Sequence, residues 1–283
     1  MSRTLIAGAT GTIGSSLVTQ LKAVGAAFDV MTSRDLGTVD GVPARRASYD
    51  EVDSLVRAFD GVDTLFVLLP LVPHKLQLAT NVARAARAAG VRHIVRSSGA
   101  GADPSSTFAL PRLQGQIDQI LAETGIPATF LRPAGFMQNY ATFQAGMVRG
   151  GQVYAASADA RQSLIDARDI AAAAVVVLQN PAPHAGQAYT LTGSESLTDS
   201  ERVAILSSVI GKPVGFTAVP AEAAVASMRQ MGMPDALVDW MASLNALVSA
   251  GYAAGVTDDV QRLLGRAPGT FEAFARDHTA TWA

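Results

Sequence analysis

Gly8, Gly11 and Gly14 follow an apolar run from Thr4 to Ala7 in the stretch TLIAGATGTIGSSL, at the spacing G-x-x-G-x-x-G. After a strand and at the mouth of a helix, this spacing permits a tight turn and brings a pyrophosphate close to bare backbone. It also lets the helix pack tightly on the strand. A helix starting there presents free N–H groups and about half a positive charge to phosphate oxygens. The candidate phosphate contacts are therefore Gly8, Thr10, Gly11, Thr12, Ile13 and Gly14. Alone, the stretch also reads as a turn of any α/β protein. Its place behind the first strand of a strand–helix series favours a nucleotide.

The end of the second strand then selects the cofactor. An acidic side chain there holds a ribose 2′-hydroxyl and excludes a 2′-phosphate. This chain reads MTSRD, with hydroxyls on Thr32 and Ser33 and a guanidinium on Arg34. Arg34 forking onto a 2′-phosphate, with Ser33 beside it, is a charge-assisted contact of about 1.5 to 3 kcal/mol. That corresponds to roughly ten- to hundredfold in preference. NADP(H) is thus expected over NAD(H), although Asp35 is adjacent and a solvated loop position is the alternative for Arg34.

The elements that must position these groups show as a rhythm. From Arg3 to Leu131, short β-branched or apolar runs alternate with longer segments of helical period. The runs are TLIAG, FDVMT, VPARR, DTLFVLL, HIVRSS and PATFLRP. The helices between them run to Ala23 and near Asp50–Phe59, Lys75–Ala89 and Pro111–Glu123. Such alternation predicts an α/β fold, a Rossmann-type doubly wound parallel sheet covered on both faces. Gly25, Gly61, Gly90 and Gly125 stand where helices should stop.

After Arg132 the pattern predicts a helix near Phe136–Val148, a strand at QVYAA, a helix opening at Asp166 and a strand at AYTLTG. From Thr198 onward it is mostly helical, with helices over Pro234–Tyr252 and Thr270–Thr281. We read residues 1–150 as an NADP(H)-binding Rossmann domain. Residues 151–283 form a smaller, mostly helical substrate-binding lobe with strands returning to the main sheet.

Composition sets limits on partners. Charged residues make up 16% of the chain against about 25% in an average domain. The apolar surface that follows suits either a homo-oligomer or a greasy substrate cleft. The net charge is −2, with Lys and Arg scattered, so no footprint for nucleic acid or an anionic membrane is visible. With no cysteine, and with His74, His93, His184 and His278 far apart, neither disulfide nor metal site is expected. No charged leader with an apolar core and no spanning stretch stands out, so the expected location is the cytoplasm.

Several stretches together resemble a family: GATGTIG from Gly8, RSSGA from Arg96, FLRPAGFMQN from Phe130 and IDARDIAAA from Ile165. They are similar to the NmrA-like atypical short-chain dehydrogenase/reductases, particularly the branch of NAD(P)H:quinone reductases and triphenylmethane reductases. The resemblance implies that Leu68, Leu69 and Pro70, then Ser97 and Ser98, then Pro133 to Phe136 line the cofactor cleft. Phe136, Met137 and Asn139 would face the nicotinamide and substrate. Asp169 matches a position typical of the family and reads as a charge on a helix N-terminus. Where the family often carries an early aspartate near the adenine, this chain has Ser48, whose hydroxyl can still accept a hydrogen bond.

The resemblance also exposes a gap. Ordinary short-chain dehydrogenases use a Tyr-x-x-x-Lys pair on the helix after the fifth strand. Here LPRLQGQID puts Leu110 and Gln114 at those places. The chain has only Lys22, Lys75 and Lys212, none of them four residues after a tyrosine. Hydride transfer is the cofactor's own chemistry. A quinone, a conjugated cation or an iminium can accept hydride without concerted protonation. If a proton must move, Tyr140 and His74 are the candidates; Tyr140 otherwise reads as a pocket-wall residue, and His74 as a first-turn helix residue touching solvent or phosphate. Gln114 and Gln138 could orient a carbonyl. Met228, Met231, Met233, Trp240 and Met241 suit either an adaptable apolar pocket or ordinary core. The expected function is an NADPH-dependent oxidoreductase acting on a small conjugated or aromatic compound. The alternative is an NADP(H)-binding redox sensor without turnover.

Overall fold

The run Thr4–Ala7 forms strand β1, buried along its whole length. A strand covered on both faces gains from apolar residues at every position, which is why this one does not alternate. The computed structural model describes residues 3–283. The elements after β1 are α1 (Thr12–Ala23), β2 (Phe28–Thr32), β3 (Thr38–Val39), β4 (Val42–Arg46), α2 (Val52–Phe59), β5 (Thr64–Val67), α3 (Lys75–Ala88), β6 (His93–Ser97), α4 (Ala109–Ala122) and β7 (Ala128–Pro133). They continue with α5 (Ala145–Arg149), β8 (Gln152–Ala155), α6 (Ala167–Gln179), β9 (Ala188–Leu191), α7 (Asp199–Ile210), β10 (Gly215–Ala218), α8 (Ala221–Gln230), α9 (Asp235–Ser249), α10 (Asp259–Leu264) and α11 (Phe271–Asp277).

The chain divides into two compact units. The first is the chain to Ser106 with Pro111–Arg132 and Ile170–Thr190; the second is Thr107–Leu110, Pro133–Asp169 and Leu191–Ala283. The main sheet has eight strands in the order β3-β4-β2-β1-β5-β6-β7-β9. From β4 to β7 neighbouring strands are parallel, and the short β3 runs antiparallel to its neighbour β4. Ile6 of β1 lies opposite Val30 on one side and Phe66 on the other. The chain turns back through β1, so the strand order reverses there, and ligands of open parallel sheets gather at the carboxyl end of such a reversal. This is the Rossmann-type α/β architecture that the sequence rhythm implies.

The second unit has its own apolar core, in which Met137, Tyr140, Val148, Leu206, Phe271, Phe274 and Trp282 are all buried. Helix α7 enters it through a full capping box: the Thr198 hydroxyl accepts from the Glu201 N–H while the Glu201 carboxylate accepts from the Thr198 N–H. Two expectations are corrected here. The helix expected near Phe136–Val148 is a 3-10 turn, Met137–Ala141, followed by α5. The break falls at Thr142, whose backbone angles of −118° and −103° are not helical. The strand QVYAA pairs with the unforeseen β10 as a separate two-stranded sheet, whereas β9 joins the main sheet beside β7.

Packing in the first unit is tight where α4 crosses the loop after β6. A Cβ on Gly115 would lie 2.2 Å from the Asp103 carbonyl carbon and 2.2 Å from the Pro104 nitrogen. Both are backbone atoms, so relief requires moving main chain. Gly115→Ala is expected to cost about 3 kcal/mol through such overpacking, seen as a lower urea midpoint. An unchanged midpoint would show that α4 can lift from this loop freely.

Candidate functional site

The glycine turn occupies the carboxyl end of β1, at the reversal of the sheet. Gly8 has φ +101°, and a Cβ there would sit 2.7 Å from the Leu68 carbonyl oxygen. A Cβ on Gly14 would lie 2.0 Å from the Gly8 carbonyl oxygen. These two glycines are therefore required by packing alone. Gly11 is different, because a Cβ there would meet nothing nearer than the Gly8 carbonyl oxygen at 3.8 Å. The space outside Gly11 is open, and it lies at the N-cap of α1, which has no side-chain cap and no acid in its first turn. Thr10, Gly11 and Thr12 are exposed, whereas Ile13 is buried under the turn. A bare helix start beside an open glycine fits a pyrophosphate.

Past β2, Ser33 and Arg34 are exposed. The Arg34 N–H donates to the Thr32 hydroxyl at 3.2 Å, which fixes the start of the loop and leaves the guanidinium without a partner among the described residues. Ser48 lies in the turn after β4, where its hydroxyl accepts from the Asp50 N–H at 3.3 Å. A hydroxyl oxygen can accept a second hydrogen bond, so Ser48 is still able to meet an adenine amino group.

At the carboxyl end of β5, Leu68 is held from two sides. Its N–H donates to the Ala7 carbonyl at 3.0 Å, and its carbonyl accepts from the Tyr49 hydroxyl at 3.2 Å. Leu69 is buried and Pro70 exposed. Next to it, β6 ends in Ser97, with Ser98 directly after it, and among the described residues both buried hydroxyls have no partner. The adjoining Arg96 is 1% exposed and pairs with Asp118. Asp118 also takes the Arg132 guanidinium at 3.0 Å. The Gln114 side-chain oxygen accepts from Arg96 at 2.6 Å, so Gln114 is tied to Arg96 while its Cγ packs near Gly99. Burial lowers the Arg96 pKa to about 10 despite Asp118, and the group stays charged at neutral pH.

One residue here was not singled out from the sequence. Lys75, the first residue of α3, is 6% exposed and its ammonium has no hydrogen-bond or ion-pair partner among the described residues. Burial, and then the nearby Arg96 charge, lower its pKa to about 8. The expectation fell on its neighbour His74 instead, which is exposed and bonded to Asp50 at 3.1 Å. The usable signal was the scarcity of lysines and the position of this one directly after the fourth parallel run.

The remaining candidates belong to the second unit. Pro133 is buried, and Phe136 and Asn139 are half-buried. Phe136 bridges Ile165. Met137 lies in the core, with its methyl 3.3 Å from where a Gly193 Cβ would be, so it is packing rather than a facing residue. Gln138 spans Asp166 and the Ala167 N–H, at 2.8 and 2.9 Å, and is spent on the start of α6. Asp169 does more than complement a helix dipole, since it accepts from Arg266 and from the Gly269 N–H, both at 2.7 Å. Met228 and Trp240 are half-buried on α8 and α9, Met231 is exposed, and α8 buries no residue at all.

Tyr140 corrects a catalytic expectation. It is 2% exposed, its hydroxyl donates to Asp199 at 2.5 Å and accepts from Arg202 at 3.1 Å, and its ring meets Phe271 edge-on. Burial, aided by Asp199 and opposed by Arg202, pushes its pKa above the ordinary tyrosine value. A hydroxyl so engaged holds the core together and has no proton to deliver. Among the described residues no cluster of acids and histidines could hold a metal, and no helix is long and apolar enough to cross a membrane.

Comparison with known proteins adds the following. The profile of the NmrA-like family matches residues 1–274. An NAD(P)H azoreductase of Xenophilus azovorans is 39% identical, over 98% of each chain. The structure of the NADPH-dependent quinone oxidoreductase QOR2 of Escherichia coli, complexed with NADPH, superposes with a TM-score of 0.87 at 26% identity, covering 97% of this chain and 99% of that one. The Citrobacter sp. triphenylmethane reductase complexed with NADP(H) superposes at 0.83 and 26%, covering 99% and 100%.

The Tyr140 assignment can be checked directly. Tyr140→Phe strands the Arg202 donor and removes a charge-assisted bond, so it should cost about 1 to 3 kcal/mol of stability while turnover of the folded protein stays near that of the parent. A collapse of turnover without loss of stability would restore Tyr140 to the chemistry.

Proposed function

The chain belongs to the NmrA-like family and is an NAD(P)H-dependent oxidoreductase; we propose that its hydride comes from NADPH and passes to a small conjugated or aromatic acceptor, such as a quinone, an azo compound or an iminium. The observation that carries this reading is the open glycine at the bare start of α1, with the unpartnered Arg34 beyond the next strand. When bound, the cofactor supplies the hydride itself. The protein's part is to hold it: the turn that Gly8 and Gly14 shape brings Gly11 to the pyrophosphate, Thr10 and Thr12 line its exposed side, and Arg34 with Ser33 takes the 2′-phosphate. Leu68, Leu69 and Pro70, together with Ser97 and Ser98, place the redox end at the carboxyl ends of β5 and β6. Acceptors of this class suit a site with no Tyr-x-x-x-Lys pair.

The relatives point the same way by name, as an azoreductase, a quinone oxidoreductase and a triphenylmethane reductase. Three measurements test the reading. NADPH absorbance should fall when the protein meets a panel of quinones, azo compounds and cationic dyes; no oxidation with any of them would overturn the acceptor class. Arg34→Ala should weaken NADPH binding about ten- to hundredfold with little effect on NADH. Equal losses for both would remove Arg34 as the phosphate reader. Gly11→Ala should weaken both dinucleotides and leave the melting temperature close to the parent's, because no packing contact opposes the added methyl.

A further inference from the structure

Lys75 is a cation with no counter-charge of its own. The groups around it are Arg96 of β6 and, behind that, Asp118 of α4 and Arg132 of β7. The two arginines share the single Asp118 carboxylate, so that cluster already carries one positive charge in excess, and Lys75 adds another. An unpaired buried ammonium is costly and normally finds an anion. Among the described residues no hydrogen bond or ion pair supplies one to Lys75. Lys75 opens α3 just after the Leu68–Pro70 segment, and Arg96 runs on into Ser97 and Ser98, whose buried hydroxyls are also unpartnered. These groups collect at the carboxyl ends of adjacent parallel strands, with Val67 opposite Arg96. This is where the reacting end of a ligand sits in such a sheet.

We propose that Lys75 is the proton donor of the reaction, delivering a proton to the substrate atom that becomes negative when hydride arrives. The inference rests on the oxidoreductase reading above. For a quinone, hydride adds to the conjugated system and leaves an oxyanion; a proton from the Lys75 ammonium goes to that oxygen, giving the hydroquinone and a neutral amine. For an azo compound, hydride adds to one nitrogen and the Lys75 proton to the other, giving the hydrazine. In both cases the nicotinamide is oxidised, the acceptor is reduced by two electrons, and the amine regains its proton from water. The excess positive charge of Arg96 favours the anion as it forms and eases the ammonium's loss of a proton. A cationic conjugated dye needs hydride only, so Lys75 has no proton to give it.

The test uses the full protein, Lys75→Met and Lys75→Arg, with NADPH and three acceptors. Lys75→Met should lower kcat about a hundredfold with the quinone and the azo compound, and at least tenfold less with the cationic dye. Lys75→Arg keeps the charge without a deliverable proton and should not rescue. With the quinone, the parent's kcat should fall as pH rises through about 8, because the donor must be protonated, and this limb should vanish in Lys75→Met. A second readout needs no turnover: reductive methylation of the cofactor-free protein, followed by peptide mass spectrometry, should modify Lys75 with a midpoint near pH 8, with the exposed Lys22 as reference in the same digest. Equal losses with all acceptors, rescue by arginine, an unshifted pH limb in Lys75→Met, or a Lys75 that resists modification at every pH would each overturn the proposal. If the parent oxidises NADPH with none of the three acceptors, the proposed acceptor class fails, and the methylation midpoint still reports on Lys75 by itself.

Discussion

The first unit is organised around one close approach, in which main chain replaces side chain. The carbonyl of Gly8 fills the place a Gly14 Cβ would take, and the carbonyl of Leu68 fills the place a Gly8 Cβ would take. Any side chain at either glycine would push α1 off β1, or separate the exits of β1 and β5. Because both contacts are backbone to backbone, they fix where α1 begins and how it points. The helix start is then aimed by geometry that no rotamer can relax. Gly11, between them, is left free of this constraint, and so it is the one glycine of the three whose bareness serves something outside the fold.

The same unit places its charge unevenly. Buried arginines are tolerable when carboxylates and carbonyls satisfy their donors, and Arg96 meets Asp118 and Gln114 on that basis. Yet the Arg96 Nε and the hydroxyls of Ser97 and Ser98 are left without partners, and Lys75 sits nearby with none. Native interiors leave few such groups unpaired, and those that remain tend to mark sites. In the second unit the buried Asp199 takes Tyr140, Ser157 and Arg202 together, which completes that network, while the buried hydroxyls of Ser194, Ser196 and Ser243 are left unpartnered there too.

Much of the fold was legible because parallel strands buried on both faces write themselves as unbroken apolar runs, and because helices stop at glycines. The glycine turn was legible for the same reason, since its constraints are local. What stayed hidden depends on distant partners. Tyr140 looks like a pocket residue until Asp199 and Arg202, far along the chain, close over it. Strand β10 is four residues, GFTA, two half-buried and two exposed, that become a strand only by pairing with β8. Lys75 and His74 are adjacent in sequence and opposite in burial, and burial, set by the packing of α3 on the sheet, decides which of them keeps an unpaired proton.

The second unit closes late. Its buried Trp282 donates to the Tyr140 carbonyl at 2.9 Å, its own carbonyl accepts from Lys212 at 2.9 Å, and Arg149 reaches the Thr281 carbonyl at 3.0 Å. During synthesis these bonds cannot form until Trp282 has left the ribosome, whereas β1 to β7 are already outside. Domains fold as they emerge, so the nascent chain passes through a stage in which β1 to β7 are outside while Tyr140, Val148 and Leu206 still lack the packing of Phe271, Phe274 and Trp282. That interval is when this half of the molecule is most exposed to chaperones and proteases.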